Sequence, residues 1–224
     1  VKDVRNKLHQ IGGAYFRRPQ DYQAPRNTLK TVPNAKDSKA TRQFCKEAMQ
    51  AHTSTAERLP ILEEFFTTCL APIAPVTSVL DLACGLNPLA VPWMPLVKNC
   101  TYLACDIYLD MLTLVQKFFE HIDLDGQAKP CDLTRKVPEE KSQVAFLLKS
   151  IPCLEQVDKS IASRLLQATQ ADHILVSFPV HSLGGRKKGM PEFYRDHFFE
   201  ILSGVNWQVR EFQFESEMAF LVTK

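Results

Sequence analysis

The stretch that decides the fold is Val79-Leu80-Asp81-Leu82-Ala83-Cys84-Gly85-Leu86-Asn87-Pro88, an apolar run that ends in an acid and a glycine turn. A buried strand, a tight turn and a helix start, in this order, build the nucleotide-binding crevice of doubly wound α/β proteins. A second apolar run, 101–105, ends at Asp106, 25 positions after Asp81. Such folds place an acid on ribose hydroxyls at about that distance. The two acids predict a site for a cofactor that carries adenosine.

The turn indicates which cofactor this is. Gly85 is the only glycine between Asp81 and Asp106, whereas a dinucleotide site needs several glycines so that backbone amides can approach a pyrophosphate. S-adenosylmethionine has no phosphate, so one glycine suffices. We expect it to contact Ala83 and Gly85 in the turn, and Ile107 after the second acid. An ordinary buried strand and turn is the alternative reading.

Composition limits the class of protein. The chain has 224 residues, of which 45% are hydrophobic, enough for one full core. Seven cysteines without a Cys-x-x-Cys pair argue against a disulfide framework or a zinc site and for a reducing cytosol. No apolar stretch is long enough to span a membrane. We therefore expect a cytoplasmic protein without a metal ion, and by default a monomer. Because the chain begins at Val1 and not at a methionine, we also expect that residues are missing upstream.

Positive charge is concentrated at the front of the chain. Residues 1–60 hold 12 Lys and Arg against 5 Asp and Glu, whereas residues 61–224 hold 15 against 20. Basic segments commonly bind polyanions, because neutralising phosphates releases counterions. We expect residues 1–72 to form a basic helical segment that binds RNA through Arg17 and Arg18, followed by the α/β domain in 73–224. A merely solvated basic surface is the alternative.

Apolar periodicity places the elements. It predicts helices over 1–10, 38–51 and 57–70, the last with Ser54 or Thr55 as its cap. The Pro-rich stretch 17–37 reads as a loop or linker. The predicted strands are 77–82, 101–105, 127–131, 143–148, 172–178, 206–213 and 217–223. The helices between them are 108–122, 156–169 and 191–203, with a Pro-interrupted turn at 88–97. The last two strands follow each other without a helix, which predicts an antiparallel hairpin at the end of a seven-stranded sheet.

Four segments carry a family resemblance. They are His52–Leu59, Asp81–Pro88, Cys105–Ile107 and, most specifically, the block Val176–Met190, which reads VSFPVHSLGGRKKGM. Together they resemble the aminoglycoside-resistance 16S rRNA methyltransferases, which use S-adenosylmethionine to modify ring nitrogen 7 of a guanine in the decoding site of the 30S subunit. The resemblance implies a Rossmann-like class I methyltransferase fold. The motif has one glycine where Rossmann-like methyltransferases usually have two or three. The chain departs from the resistance family in lacking the longer helical extension that usually precedes its first residues.

The resemblance also assigns cofactor contacts. It implies that the planar guanidinium of Arg58 holds the methionine carboxylate, with a helix-pairing arginine as the alternative. Asp81 is expected near the amino group or sulfonium, and Asp106 on the ribose hydroxyls. Asp132 would accept from the adenine amino group while Leu133 covers the ring. A plain helix cap is the competing explanation for Asp132.

The target site is expected at the ends of the fourth and fifth strands. Lys149, Phe178 and Arg186 would position the target base, although core packing explains Phe178 equally well. Arg186, Lys187 and Lys188, three cations in a glycine-containing loop, are expected to grip 16S rRNA. A solvated loop is their alternative. Tyr194 and His181 are weaker candidates.

The residue pattern also bears on the reaction. The Asn or Asp followed by Pro-Pro-Tyr that is typical of amino-group methyltransferases is absent after the fourth strand. Ring nitrogen 7 of guanine has its own lone pair, so no general base is required. Two other readings stay open. One is a methyltransferase for another RNA position or for a small molecule, and deletion of residues 1–50 would leave small-molecule activity intact. The other is an RNA-binding module without catalysis.

Overall fold

A computed structural model of the chain describes residues 21–180 and 190–224. Seven strands form one sheet in the order β3-β2-β1-β4-β5-β7-β6. The seven-stranded arrangement predicted from the sequence is therefore confirmed. The strands are β1 (Val76–Leu82), β2 (Leu96–Asp106), β3 (Asp125–Pro130), β4 (Ser142–Leu148), β5 (Ala171–Pro179), β6 (Gln208–Gln213) and β7 (Glu217–Thr223).

Helices precede the sheet and connect its strands. The α-helices are α1 (Gln23–Leu29), α2 (Lys39–Met49), α3 (Thr53–Arg58), α4 (Leu62–Leu70), α5 (Leu109–His121), α6 (Ile151–Leu154), α7 (Ile161–Ala168) and α8 (Met190–Ile201). Short 3₁₀ helices cover Leu59–Ile61, Ala71–Ile73 and Asn87–Trp93. Proline occurs in each of these three segments, consistent with its tendency to interrupt regular α-helix.

The sheet changes direction of growth at β1. This strand pairs in parallel with β2 on one side and with β4 on the other. Ligands of open α/β sheets bind outside the carboxyl ends of the strands at such a switch point. At the far side, β7 pairs antiparallel with both β5 and β6, which confirms the predicted terminal hairpin.

Each face of the sheet has its own apolar core. Val79 and Phe146 point to one face, where helices α1 to α5 pack. Leu80 and Leu147 point to the other face, which α6, α7 and α8 cover. This alternation follows from the two-residue period of a strand. Because both faces are covered, residues 144–148 of β4 and 174–176 of β5 are apolar without interruption.

Three local predictions were wrong. The stretch predicted as a loop contains α1, and Leu29 at its end is buried. The helix predicted over 57–70 is broken by a 3₁₀ turn at Pro60. Neither predicted cap precedes a helix, because α3 already begins at Thr53, with His52 in the cap position. The helix predicted over 1–10 lies outside the described residues.

No helix in residues 21–180 and 190–224 is long and apolar enough to cross a membrane.

Candidate active site

A cavity lies at the switch point, where the carboxyl ends of β1 to β4 meet helices α3 and α6. Its volume is about 770 Å³ when the open space at its mouth is included. Seven of the residues singled out from the sequence line it: Ala83, Gly85, Asp106, Ile107, Asp132, Leu133 and Lys149. Nine others complete the wall: His52, Ser54, Tyr108, Cys131, Thr134, Leu148, Ser150, Cys153 and Leu154.

The turn after β1 forms the floor of the cavity. Gly85 has a φ of 52°, a left-handed conformation that glycine adopts without steric cost. A Cβ at this position would lie 3.2 Å from Cε1 of His52. Ala83, two residues earlier, has the same φ of 52° although it is not a glycine. The backbone is thus held in an unusual shape where it borders the cavity.

Asp106, the last residue of β2, is held almost entirely by backbone amides. Its Oδ2 accepts from the N–H of Gly85 at 2.9 Å, and its Oδ1 accepts from Ile107 at 2.7 Å and Tyr108 at 3.3 Å. Burial raises the pKa of Asp106, and these amide bonds oppose the rise. Each carboxylate oxygen has more than one acceptor site, so this rigid group can also accept hydrogen bonds from ligand hydroxyls.

The end of β3 supplies a polar turn beside an apolar wall. One oxygen of Asp132 accepts from the backbone N–H of Thr134 at 3.0 Å and from its hydroxyl at 2.6 Å. Leu133 is buried against the same core as Cys105. The turn after Asp132 does not continue into a helix, so the helix-cap explanation for this acid does not apply. A carboxylate next to an apolar side chain is suited to the edge and face of a purine.

Arg58 lies behind the cavity wall, in a buried ion network. Its Nε and Nη2 donate to the two carboxylate oxygens of Glu217 at 2.9 and 2.6 Å. Lys149 Nζ approaches the same carboxylate at 3.4 Å and donates to Glu57 at 3.0 Å. Arg58 is 2% exposed and Glu217 is fully buried. Burial raises the pKa of Glu217, but the two cations outweigh it and lower the pKa below its ordinary value.

Asp81 extends this network under the glycine turn. Its Oδ2 accepts from Asn87 Nδ2 at 2.8 Å and from the Tyr102 hydroxyl at 2.7 Å. Asn87 in turn accepts from Arg58 Nη1 at 2.9 Å. Burial raises the pKa of Asp81 to about 7, although these hydrogen bonds and Arg58 oppose the rise. Asp81 and Arg58, both expected to touch the cofactor, therefore bind protein groups and are not among the residues that line the cavity.

Two cavity residues on α3 and at its cap were missed. The sequence segment that contains His52 and Ser54 was singled out, but only Arg58 was assigned a contact with the cofactor. In the structure His52 Nδ1 and Ser54 Oγ share a hydrogen bond of 2.9 Å. Burial and the charge of Arg58 lower the pKa of His52 to about 4. The imidazole is therefore neutral at pH 7. No local spacing signals these residues, since they reach the cavity only through the packing of α3 on the sheet.

The structure does not bring Phe178 to the cavity. Its ring is fully buried, and Tyr194 stacks on it with centroids 5.0 Å apart. Phe178 therefore has no free face for a target base, which corrects its assignment as a positioning residue in favour of core packing. The other residues expected to touch RNA lie outside the described ranges: Arg17, Arg18, His181, Arg186, Lys187 and Lys188.

Within 21–180 and 190–224, no group of three or more His, Cys, Asp and Glu side chains could hold a metal ion.

Comparisons with known proteins agree with this geometry. Among curated proteins, the 16S rRNA (guanine(1405)-N(7))-methyltransferase of Micromonospora echinospora is 32% identical, over 100% of this chain and 82% of the relative. The protein of the same name from Serratia marcescens is 33% identical, over 88% of this chain and 72% of its own length.

Solved structures show the same relation. The crystal structure of 16S rRNA methyltransferase RmtF in complex with S-adenosyl-L-homocysteine has a TM-score of 0.79 and 32% identity, covering all of this chain and 82% of that one. A 16S rRNA methylase, RmtB, also has a TM-score of 0.79, with 26% identity over 100% and 81% of the two chains. A SAM-dependent methyltransferase from Aquifex aeolicus, 14% identical over 75% of this chain and 94% of its own, shares the fold, with a TM-score of 0.54.

A family model described as ribosomal RNA methyltransferase (FmrO) matches residues 1–221. The strand-end acids, the glycine turn and the seven-stranded sheet thus occur in a chain that belongs to the FmrO family of ribosomal RNA methyltransferases.

Proposed function

We propose that this protein transfers a methyl group from S-adenosylmethionine to ring nitrogen 7 of a guanine in the decoding site of 16S rRNA. The observation that carries the proposal is a nucleoside-type cavity, with acids at the ends of β2 and β3, in a member of an rRNA methyltransferase family. Methylation there would place charge and bulk where an aminoglycoside binds, so the product would confer resistance. The substrate would be the 30S subunit, and the enzyme would act as a cytoplasmic monomer.

The cavity residues fit the cofactor. Asp106 would accept hydrogen bonds from the ribose hydroxyls, because three backbone amides fix its carboxylate at the cavity wall. Asp132 would accept from the adenine amino group, and Leu133 would cover the ring. Bound S-adenosylmethionine supplies an electrophilic methyl group on a positively charged sulfur. Arg58 would act indirectly: its ion pair with Glu217 fixes α3, and α3 positions the cavity residues His52 and Ser54.

The proposed reaction requires alignment of the target base with the methyl group and does not require proton transfer. Ring nitrogen 7 of guanine carries a lone pair in the plane of the base and has no proton to lose. The protein therefore has to align this nitrogen with the methyl group, and alignment of this kind can lower a barrier by several kcal/mol. Lys149 helps to hold the wall in place, since its ammonium group binds Glu57 and Glu217. His52, neutral at pH 7, would add no positive charge to a cavity that binds a cationic cofactor.

The N-terminal segment is proposed to bind RNA phosphates, with the α/β domain in 73–224 carrying the reaction. Lys30, Lys39 and Lys46 are exposed on or beside α1 and α2, and Arg17 and Arg18 precede them. The loop cations Arg186, Lys187 and Lys188 would add contacts near the target. Phosphate contacts of this kind make binding fall steeply with salt concentration.

The direct test is methyl transfer from radiolabelled S-adenosylmethionine to purified 30S subunits, with the modified base mapped by chemical cleavage at 7-methylguanine. Label at one decoding-site guanine is expected. Label elsewhere in the RNA would replace the proposed target. Absence of label together with cofactor binding in calorimetry would point to another acceptor, and absence of both would favour an RNA-binding module.

The RNA-binding part is tested by reversing charge in the loop. Arg186→Glu combined with Lys187→Glu should abolish methylation of 30S subunits, because repulsion replaces phosphate contacts. Cofactor binding, measured by calorimetry, should stay unchanged. The control is Lys141→Glu, a charge reversal just before the amino end of β4, away from the cavity. Full methylation by the loop variant would remove these cations from the RNA interface.

A further inference from the structure

Ser150 is a cavity residue whose hydroxyl group makes no hydrogen bond within the described part of the chain. It follows β4 directly, lines the cavity and is 7% exposed. Its Oγ is buried and makes no hydrogen bond with any group in the described part of the chain. Buried hydroxyl groups in native proteins are nearly always hydrogen bonded. An exception inside a ligand cavity therefore needs an explanation.

The local structure offers this hydroxyl an obvious partner, which it does not use. Ser150 stands at the N-cap of α6, where a serine side chain normally accepts from a backbone N–H two or three residues on. Here no such side-chain bond forms. The N–H groups of Cys153 and Leu154 instead donate to the Ser150 carbonyl oxygen, at 3.1 and 3.0 Å. The backbone of Ser150 is itself helical, with φ of −92° and ψ of −31°.

The neighbouring residue adds a second unfavourable feature. Lys149 has a φ of 56°, which is sterically costly for a residue with a Cβ. Its ammonium group is bound to Glu57, Glu217 and the carbonyl oxygen of Ser54, so the protein itself uses the charge. The same turn thus contains a strained backbone and an unused hydroxyl. Strained backbone persists where the surrounding structure enforces it, and it is concentrated at ligand sites, as are buried polar groups without a partner.

We propose that the Ser150 hydroxyl forms a hydrogen bond with S-adenosylmethionine bound in this cavity, an inference that rests on the proposed function. The cofactor is favoured over the target base because Ser150 shares the cavity with Asp106 and Asp132, the acids that suit its nucleoside. The Oγ is buried in the cavity wall, so a rotation of the Ser150 side chain would turn the hydroxyl toward the bound cofactor. Ser150 is then a binding residue that the motif pattern does not mark.

Ser142 provides a matched control. It is the first residue of the same strand, β4, its Oγ is likewise buried without a partner, and it does not line the cavity. Ser142→Ala and Ser150→Ala each remove one unsatisfied hydroxyl from the folded protein. Neither substitution breaks a hydrogen bond seen in the structure. Both variants should therefore fold, with melting temperatures at or slightly above that of the wild type.

The experiment measures the Kd of S-adenosyl-L-homocysteine by calorimetry and the melting temperature without ligand, on the complete chain. Ser150→Ala should weaken binding about 3- to 10-fold, the effect of one hydrogen bond, without lowering the melting temperature. Ser142→Ala should leave the Kd unchanged. A structural role for Ser150 would instead lower the melting temperature.

An unchanged Kd in Ser150→Ala would overturn the inference. If the KM for 30S subunits were raised in the same variant, the hydroxyl would be assigned to the target base. Failure of the proposed function would be seen separately, if the wild-type protein bound S-adenosyl-L-homocysteine but did not methylate 30S subunits. In that case the comparison of Kd values would still decide the role of Ser150.

Discussion

Asp81 and Asp106 carry the same signal in the sequence, yet the structure gives them different surroundings. Asp81 pairs in register with Ala104 inside the sheet, and Asn87 and Tyr102 bind its carboxylate. Asp106 ends β2 and faces the cavity. An acid that closes an apolar run thus predicts a position near the strand end. Whether its side chain reaches the cavity depends on neighbours that the run does not contain.

Asp106 is predicted to be essential for cofactor binding. Asp106→Asn keeps the shape of the side chain but removes the charge and one acceptor group. Since hydrogen bonds to charged groups contribute about 1.5–3 kcal/mol, the Kd of S-adenosyl-L-homocysteine should rise at least about 10-fold in calorimetry. The control is Asp110→Asn, an exposed acid four residues on. Cofactor affinity that survived Asp106→Asn would show that the cavity binds its ligand elsewhere.

Asp81 is predicted to make stability depend on pH. Its pKa is raised to about 7 by burial, whereas the pKa of an unfolded aspartate is about 3.9. Between these values the native state binds more protons than the unfolded state, so the free energy of unfolding should fall as the pH rises from about 4 to about 7.

Asp81→Asn should flatten this dependence in urea titrations, because an amide does not titrate in the range and still offers an acceptor to Asn87 and Tyr102. The wild type should lose on the order of 1 kcal/mol for each unit of pKa difference. Asp110→Asn again serves as the control. A slope that Asp81→Asn leaves intact would place the responsible group elsewhere.

At this scale the sequence predicts the cavity residues that follow strands and misses those that helices bring in. Ala83, Gly85 and Asp106 are recognisable because the strand, the turn and the acid are consecutive. His52 and Cys153 are not, because they reach the cavity only when α3 and α6 pack against the sheet. The partner of Arg58 could not be found either, since Glu217 is 159 positions away.

Among the elements, β7 matters most to the site although it lies away from the cavity. Its first residue, Glu217, joins α3 through Arg58 and the end of β4 through Lys149. One carboxylate thus fixes the orientation of two elements that form the cavity wall. The turn between β6 and β7 is therefore under a constraint that an ordinary hairpin would not have.

Glu217→Gln is predicted to destabilise the protein by about 3–5 kcal/mol, the usual cost of leaving buried cations without their partner. Urea unfolding monitored by circular dichroism at pH 7 measures it. Because the pKa of Glu217 is lowered, its contribution is present above the unfolded pKa, about 4.3, and is lost as the pH falls through the lower native value. Glu139→Gln, at an exposed pair with Lys136, should change little. Equal effects of the two substitutions would refute the structural role of the buried network.

The strands were easier to predict than the first helices. Each predicted strand overlaps an observed one, because runs of apolar residues between turn signals identify buried strands well. Helix α1 was missed because it contains Pro25 and buries only Leu29, so it has almost no apolar period. The break after α3 arises at Pro60, a residue that the predicted helix included without interruption.

For the molecule as a whole, the N-terminal helices are part of the core. Leu29, Phe44 and Met49 are buried in the same cluster as Val79 and Phe146 of the sheet. Packing is therefore continuous across the boundary proposed between residues 72 and 73, and that boundary is not a division between two cores.

Deleting residues 1–50 is predicted to abolish the cooperative thermal unfolding transition, because the deletion removes α1, α2 and their share of the core. Circular dichroism melting measures this. The control is the undeleted 224-residue chain, which should unfold in one cooperative transition. The deletion of residues 1–50 therefore does not separate RNA binding from small-molecule activity. A stable protein lacking residues 1–50 would show that the sheet folds without these helices.

The ion pair between Arg58 and Glu217 also affects the rate of folding. A contact across 159 positions closes a long loop, and contacts of this kind slow folding because their entropy cost is met before they stabilise anything. Since this pair fixes α3, a chain in which it has not formed lacks an ordered cavity wall. The number of ligand molecules bound per chain in calorimetry therefore measures how much of a refolded preparation has reached the native state.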